Sequence, residues 1–139
     1  MGFDPHGNYN LWIKGDTLYA ELRGAWNTEA AMEFEKDFMA LANNLPQAWG
    51  HIVYLDHWEL CTPEISAIIE RLVEWCIQNG LKRAANVYEP SKVKNAVLNK
   101  MIVSEEGEFK RAVFDNSEDA AIWLTTEGFP TDHELSAGH

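Results

Sequence analysis

The stretch that decides the fold is residues 51–88, HIVYLDHWELCTPEISAIIERLVEWCIQNGLKRAANVY. Its first five residues, 51–55, form a short and mostly apolar run, which is typical of a strand that is covered on both faces. A helix is predicted to start at Thr62, because threonine is a preferred N-cap residue and a proline follows it. The helix is expected to end at Gly80, since glycine is common just beyond a helix. Residues 84–88 form the next predicted strand, so the stretch predicts a β-α-β unit with parallel strands.

Further elements are predicted on either side of this unit from the period of the apolar residues. Two strands with a glycine turn between them come first, and a helix that stops at Pro46 separates them from the central unit. A further helix, a last strand and a closing helix follow the unit. In chain order these flanking elements are strands over 9–13 and 17–23, a helix capped by Asn27 or Thr28, a helix over 91–102, a strand over 110–114, and a helix that starts at Asn116 or Ser117 and ends at Gly128.

The order of the elements is therefore β-β-α-β-α-β-α-β-α. Strands that alternate with helices need crossover connections, which give a mostly parallel sheet with helices on its faces. We predict a single α/β domain over residues 9–129, with a mixed sheet of four or five strands, an N-terminal β-hairpin and four helices. Residues 1–8 are expected to form a loose arm, and residues 130–139 a flexible tail.

The acidic composition of the chain narrows the choice of partners. The chain has 139 residues, with 22 Asp and Glu against 11 Lys and Arg, and thus a formal net charge of −11. A field of that sign repels phosphate backbones, so no nucleic-acid binding is expected. No apolar run reaches the roughly 18 residues of a membrane span, so stable membrane insertion is not expected either. Two cysteines, Cys61 and Cys76, are too few for a disulfide scaffold and fit reduced thiols in the cytoplasm.

Three segments of the chain resemble a known family. Residues 18–29 resemble the strand and glycine turn that lead into the first helix of STAS domains (sulfate transporter and anti-sigma factor antagonist). Residues 52–65 resemble their central strand and the start of their second helix, and residues 113–124 their last strand and closing helix. The likeness is to the SpoIIAA-like group in particular. It implies a SpoIIAA-like α/β fold and a regulatory function that works through partner proteins.

One departure from this family concerns phosphorylation. Anti-sigma factor antagonists keep a phosphorylatable serine in an Asp-Ser-Ser-Gly turn at the start of the second helix, and the present chain has Leu-Cys-Thr-Pro-Glu there. The nearest hydroxyl groups are those of Thr62 and Ser66. A phosphate at a helix N-terminus is physically favourable, but an N-cap threonine already has a structural role. We expect Thr62 to be a structural cap, with Thr62 and Ser66 as weak phosphorylation candidates.

The segment over residues 56–61 is predicted to be a loop at the C-terminal end of the central strand, where open α/β sheets bind ligands. It contains Asp56, His57, Trp58 and Cys61. These residues lack the spacing of a metal site and any accompanying oxyanion or orienting group, so neither a metal, a cofactor nor catalysis is expected. Trp58 is either a recognition aromatic on the surface or a lid that folds over the end of the sheet.

The helix predicted over residues 91–102 is unusually basic and apolar. Lys92, Lys94 and Lys100 lie on it, and no acidic residue occurs between Pro90 and Ser104. Such a helix on an acidic domain has two interpretations. It is a docking face, for a partner or for an anionic headgroup, or it is a packed helix whose lysines only make its outer side soluble.

Two functions remain open on this basis. The first is a non-enzymatic binding module that acts through protein–protein contact, with a surface around Asp56, His57, Trp58 and the start of the second helix. The second is a carrier or sensor of a small hydrophobic or anionic ligand, held by the apolar face of the helix over 91–102 with a lysine at its headgroup. A carrier needs an apolar pocket of at least roughly 300 Å³. A homo-oligomer is compatible with either function.

Overall fold

The structure, a computed structural model, describes residues 7–59, 62–89, 96, 98–99 and 105–130. Three helices have both ends within these ranges: α1 (Thr28–Ala42), α2 (Pro63–Gln78) and α3 (Ser117–Thr126). The strands are β1 (Asn8–Lys14), β2 (Thr17–Gly24), β3 (Trp49–Trp58), β4 (Leu81–Val87), β5 (Glu105–Glu106) and β6 (Phe109–Phe114).

All six strands belong to one sheet, in the order β1-β2-β3-β4-β6-β5. The pairs β2–β3, β3–β4 and β4–β6 are parallel and make the centre of the sheet. The pairs β1–β2 and β5–β6 are antiparallel and make its two edges. Because parallel strands need crossovers, the helices lie on the faces of the sheet.

The predicted class, a single mixed α/β domain that opens with an antiparallel hairpin, is confirmed, but the strand count is wrong. The sheet of the described residues has six strands rather than four or five, because residues between the predicted helix over 91–102 and the predicted strand over 110–114 form β5. Glu106 pairs with Phe109 across a turn at Gly107, whose φ of 60° is left-handed. A strand of two residues is too short to show the alternation by which strands are recognised in a sequence.

Four helices were expected, and the described residues hold three of them in full. Of the helix predicted over 91–102, only Ala96, Leu98 and Asn99 are described, and all three are helical.

The sequence left two N-caps open, and the structure assigns both to asparagine. The side chain of Asn27 accepts a hydrogen bond from the amide of Ala30, and Asn116 caps α3 in the same way.

Both α1 and α2 cover one face of the sheet, and the larger part of the core lies there. Alternate residues of β2, Leu18, Ala20 and Leu22, are buried on this face. They belong to one cluster with Phe34 of α1 and Leu72 of α2. The apolar period of each helix thus matches the alternation of the strands below it.

The opposite face carries α3, which packs over β4 and β6. Ala120 and Leu124 of α3 form a second, smaller cluster there with Val87 of β4. On the same face, Trp12 of β1 and Tyr19 of β2 are stacked, with ring centroids 5.2 Å apart and planes 10° apart. One face of the sheet is therefore covered by two helices, and the other mainly by one helix and aromatic side chains.

The turn between α2 and β4 depends on Gly80. Its φ is +107°, and a Cβ at this position would lie 2.1 Å from the carbonyl oxygen of Gln47. The amide of Trp49 donates a hydrogen bond to the Gly80 carbonyl at 3.0 Å, and the Trp49 indole donates one to the carbonyl of Asn79 at 2.9 Å. The end of α2 is thereby held against the start of β3.

Candidate functional site

The C-terminal end of β3 differs from the prediction. Asp56, His57 and Trp58 belong to the strand itself, so the predicted loop over residues 56–61 is wrong for its first half. Asp56 and His57 are exposed there, and His57 lies opposite Arg23 in the register, just after an irregularity in the β2–β3 pairing. The carboxylate of Asp56 accepts a hydrogen bond of 2.7 Å from the amide of Glu89, which ties the ends of β3 and β4 together.

Trp58 is a core residue, which decides between the two interpretations of its role. Only 3% of its surface is exposed, and its ring meets that of Trp26 edge-on at a centroid distance of 5.6 Å. A surface role for this aromatic is therefore wrong. Its indole Nε1 is buried and has no hydrogen-bond acceptor within the described part of the chain.

Thr62 occupies the N-cap position of α2, but its side chain makes no capping hydrogen bond to the backbone. Its hydroxyl instead donates to the carboxylate of Glu64. The backbone amide of Glu64 and this hydroxyl lower the pKa of the carboxyl group. Thr62 is exposed and Ser66 is partly buried. The backbone amide of Ser66 donates a hydrogen bond of 3.0 Å to the Thr62 carbonyl. The expected cap bond is wrong, and phosphorylation of either hydroxyl stays a prediction.

Other predicted site residues lie outside the described part of the chain. These are Cys61 and the three lysines of the helix predicted over 91–102, Lys92, Lys94 and Lys100. Of the described residues in that segment, Leu98 is fully buried in the core and Asn99 is exposed.

A cavity of about 70 Å³ lies between the sheet and the helices α1 and α2. Its walls come from β2, β3 and β4 below, from α1 and α2 above, and from Leu98 at one side. Most of the lining is aliphatic or aromatic. The lining residues are Leu22, Phe34, Phe38, His51, Val53, Leu55, Trp58, Ile69, Leu72, Val73, Cys76, Leu81, Ala84, Asn86, Leu98 and Phe109.

Two titratable side chains are among the described residues that line the cavity, and both are neutral at neutral pH. Nδ1 of His51 lies 2.7 Å from the carbonyl oxygen of Leu18, which can only accept, so Nδ1 carries the proton. Burial lowers the pKa of His51 to about 4, although the bond to Leu18 acts in the opposite direction. Burial raises the pKa of the Cys76 thiol. The cavity therefore holds a neutral imidazole and a protonated thiol.

No sequence pattern indicated this cavity, because apolar residues that line a void have the same spacing as those that fill a core. One available signal was His51, a polar residue within an apolar strand. Asn86 is a second such residue, since it is 1% exposed in β4.

Comparison with solved structures identifies the architecture. A DUF3478 family protein from Shewanella loihica PV-4, which has a SpoIIAA-like fold, superposes with a TM-score of 0.64 at 12% identity. The match covers 89% of this chain and 98% of that one. The fold is SpoIIAA-like. The NMR structure of the protein TM1081 is also similar, with a TM-score of 0.61 at 16% identity over 90% of this chain and 94% of that one. No family model matches the chain, and no curated protein matches it.

The three segments that carried the resemblance fall on the elements that a SpoIIAA-like fold implies. Residues 18–29 run from β2 into α1, residues 52–65 from β3 into α2, and residues 113–124 from β6 into α3. Within the described ranges of this SpoIIAA-like chain, no group of three or more His, Cys, Asp or Glu side chains is placed to hold a metal ion. No helix among the same residues is both long and apolar enough to cross a membrane.

Proposed function

We propose that this protein binds a small, largely apolar molecule in the cavity between its sheet and α1 and α2, and acts as a sensor of that molecule. The observation that carries the proposal is a mostly apolar cavity with Trp58 in its wall, a residue whose buried indole Nε1–H has no acceptor among the described residues. The SpoIIAA-like fold is compatible with this function but does not by itself imply it.

The volume of the cavity supports binding and also limits the ligand. An unfilled apolar cavity costs about 24 cal/mol per Å³, so 70 Å³ corresponds to about 2 kcal/mol that a ligand can recover. A cavity of about 150 Å³ takes benzene, so the present one fits a group of about three to five heavy atoms. It is smaller than the roughly 300 Å³ expected of a carrier pocket, which favours a sensor over the carrier that the sequence also left open.

The indole group of Trp58 supports a ligand that carries one oxygen. A buried donor without a partner costs about 1–3 kcal/mol, and a carbonyl, ether or hydroxyl oxygen of a ligand would remove that cost. The remaining walls offer mainly carbon atoms. A short ketone has both properties, since an acceptor oxygen sits beside a few methyl or methylene groups.

We propose binding without turnover. The described part of the cavity wall pairs no nucleophile with a base, because the raised pKa keeps the Cys76 thiol protonated and the His51 Nδ1–H is already donated to Leu18.

A matched pair of cavity variants tests the function. Val53 lines the cavity, whereas Val87 is also buried but lies on the opposite face of the sheet. Val53→Ile adds one methyl group to the cavity, and Val87→Ile adds the same group elsewhere. In calorimetric titrations with 2-butanone we expect Val53→Ile to weaken binding at least about five-fold, and Val87→Ile to leave it unchanged. Absence of binding to the wild-type protein, or equal effects of the two variants, would refute the proposal.

Contact with a partner protein remains a second candidate function, and a different surface now favours it. The buried Trp58 cannot anchor a partner, but Trp12 and Tyr54 are partly exposed on the face of the sheet that carries α3. Aromatic residues are enriched at recognition surfaces. Replacement of Trp12 by Ser should abolish co-purification of a stoichiometric partner from the native host while leaving the binding of 2-butanone intact.

A further inference from the structure

Arg111 of β6 has no carboxylate partner within the part of the chain that the structure describes. Its Nε donates a hydrogen bond to Oδ1 of Asn86, and its Nη1 donates one of 2.8 Å to Oδ1 of Asn99. Its Nη2 is buried and has no acceptor among the described residues. Burial lowers the pKa of the guanidinium, and the charge attraction and hydrogen bond of Tyr88 offset part of that effect.

The other arginines of the chain are all paired with carboxylates. The distances from Arg23, Arg71 and Arg83 to the nearest carboxylate oxygen are 2.7, 2.7 and 2.6 Å. In a chain with 22 acidic and 11 basic residues, a partly buried arginine without an ion pair in the described ranges is an exception. An unbalanced buried charge is costly, so an external anion at Nη2 would be stabilising.

Arg111 lies next to the cavity through both of its amide partners. Asn86 lines the cavity and accepts from Arg111 Nε. Asn99, which accepts from Nη1, directly follows Leu98 in the cavity wall. Arg111 itself is not among the lining residues, and the side chain of Asn86 separates its guanidinium from the apolar space.

We propose that Arg111 is an anion subsite of this cavity, and that the ligand is a short-chain carboxylate whose apolar tail occupies the cavity. The carboxylate accepts from Nη2 of Arg111, and an oxygen in the tail accepts from the Trp58 indole. This inference rests on the proposed function, because it assigns a chemical class to the molecule that the cavity binds. This proposal places the anionic group at Arg111, whereas the sequence analysis placed it at the lysines of the helix over 91–102, which lie outside the described residues.

Two probes of equal shape test the subsite: 4-oxopentanoate and the uncharged 4-oxopentanamide. Arg111→Gln removes the charge, and Arg71→Gln is the matched control, because Arg71 is an ion-paired arginine whose side chain is 62% exposed. We expect the wild-type protein and Arg71→Gln to bind the carboxylate at least about ten-fold more tightly than the amide. Arg111→Gln should bind both probes equally.

A measurement on the wild-type protein covers the case in which Arg111→Gln fails to fold. The Nε–H NMR signal of Arg111 should shift with 4-oxopentanoate and stay in place with 4-oxopentanamide. Equal wild-type affinities for the two probes, or an Arg111 signal that ignores both, would overturn the subsite while leaving the cavity function intact. Failure of both probes to bind would overturn the proposed function as well.

Discussion

Replacement of His51 by Gln should remove a large part of the acid sensitivity of the fold. His51 lies on β3 beside Phe38, with ring centroids 5.2 Å apart and nearly perpendicular planes. Its Nδ1–H donates to the Leu18 carbonyl at 2.7 Å, and the side-chain amide of Gln can supply the same donor. The variant therefore keeps a donor at this position and loses only the titratable group.

The magnitude follows from the pKa of His51 in the two states. An unfolded histidine titrates near 6.5, and burial lowers the pKa of His51 in the folded protein to about 4. Between these values the unfolded chain binds a proton that the folded chain does not, so the free energy of unfolding decreases as the pH falls. The loss is about 2 kcal/mol at about pH 5 and reaches about 3 kcal/mol below the folded pKa.

Urea unfolding at about pH 7.5 and about pH 5 measures this effect in the wild-type protein, in His51→Gln and in His57→Gln. His57 is on the same strand and exposed, which makes it the matched control. We expect the wild-type protein and His57→Gln to lose about 2 kcal/mol more than His51→Gln between the two pH values. The reasoning is refuted if all three proteins show the same pH dependence, or if NMR titration places the folded pKa of His51 near its ordinary value.

Two further predictions concern the helix ends. Asn27→Ala should cost about 1 kcal/mol in urea unfolding, because the side chain caps α1, whereas Thr62→Ala should cost less than about 0.5 kcal/mol, because Thr62 makes no cap bond. An equal or larger loss for Thr62→Ala would show that its hydroxyl does cap α2. Gly80→Ala should lower the free energy of unfolding by about 3 kcal/mol, and Gly15→Ala by only about 1 kcal/mol. Both glycines have a positive φ, but only a Cβ at Gly80 would meet a backbone oxygen. Equal losses in the two glycine variants would contradict the contact with the backbone of Gln47.

The type and order of the longer elements could be predicted from the sequence, because each carries its own period and end signals. The start of α2 at Pro63 and the caps at Asn27 and Asn116 are local features of this kind. The end of β3 could not be predicted, since Asp56 and His57 interrupt the apolar pattern. They are exposed where the β2–β3 register shifts, and only the pairing with β2 shows that the strand continues.

The candidate site was less accessible to sequence analysis, because its properties depend on contacts between distant segments. Trp58 is buried against Trp26, and nothing within residues 56–61 indicates that contact. Asn86 and Arg111 are separate residues of two predicted strands until the pairing of β4 with β6 brings them together. A void, in turn, is a mismatch of volumes that no spacing of apolar residues reveals.

The most direct test of the cavity function is the indole N–H NMR signal of Trp58, assigned with Trp58→Phe, during a titration with 2-butanone. Trp26 and Trp49 are internal controls, because their indole groups already donate to the carbonyls of Arg23 and Asn79, each at 2.9 Å. Binding in the cavity should move the Trp58 signal downfield as a new hydrogen bond forms, and leave the signals of Trp26 and Trp49 nearly in place. A Trp58 signal that does not move at saturating 2-butanone, or that moves only together with the two controls, would contradict the account.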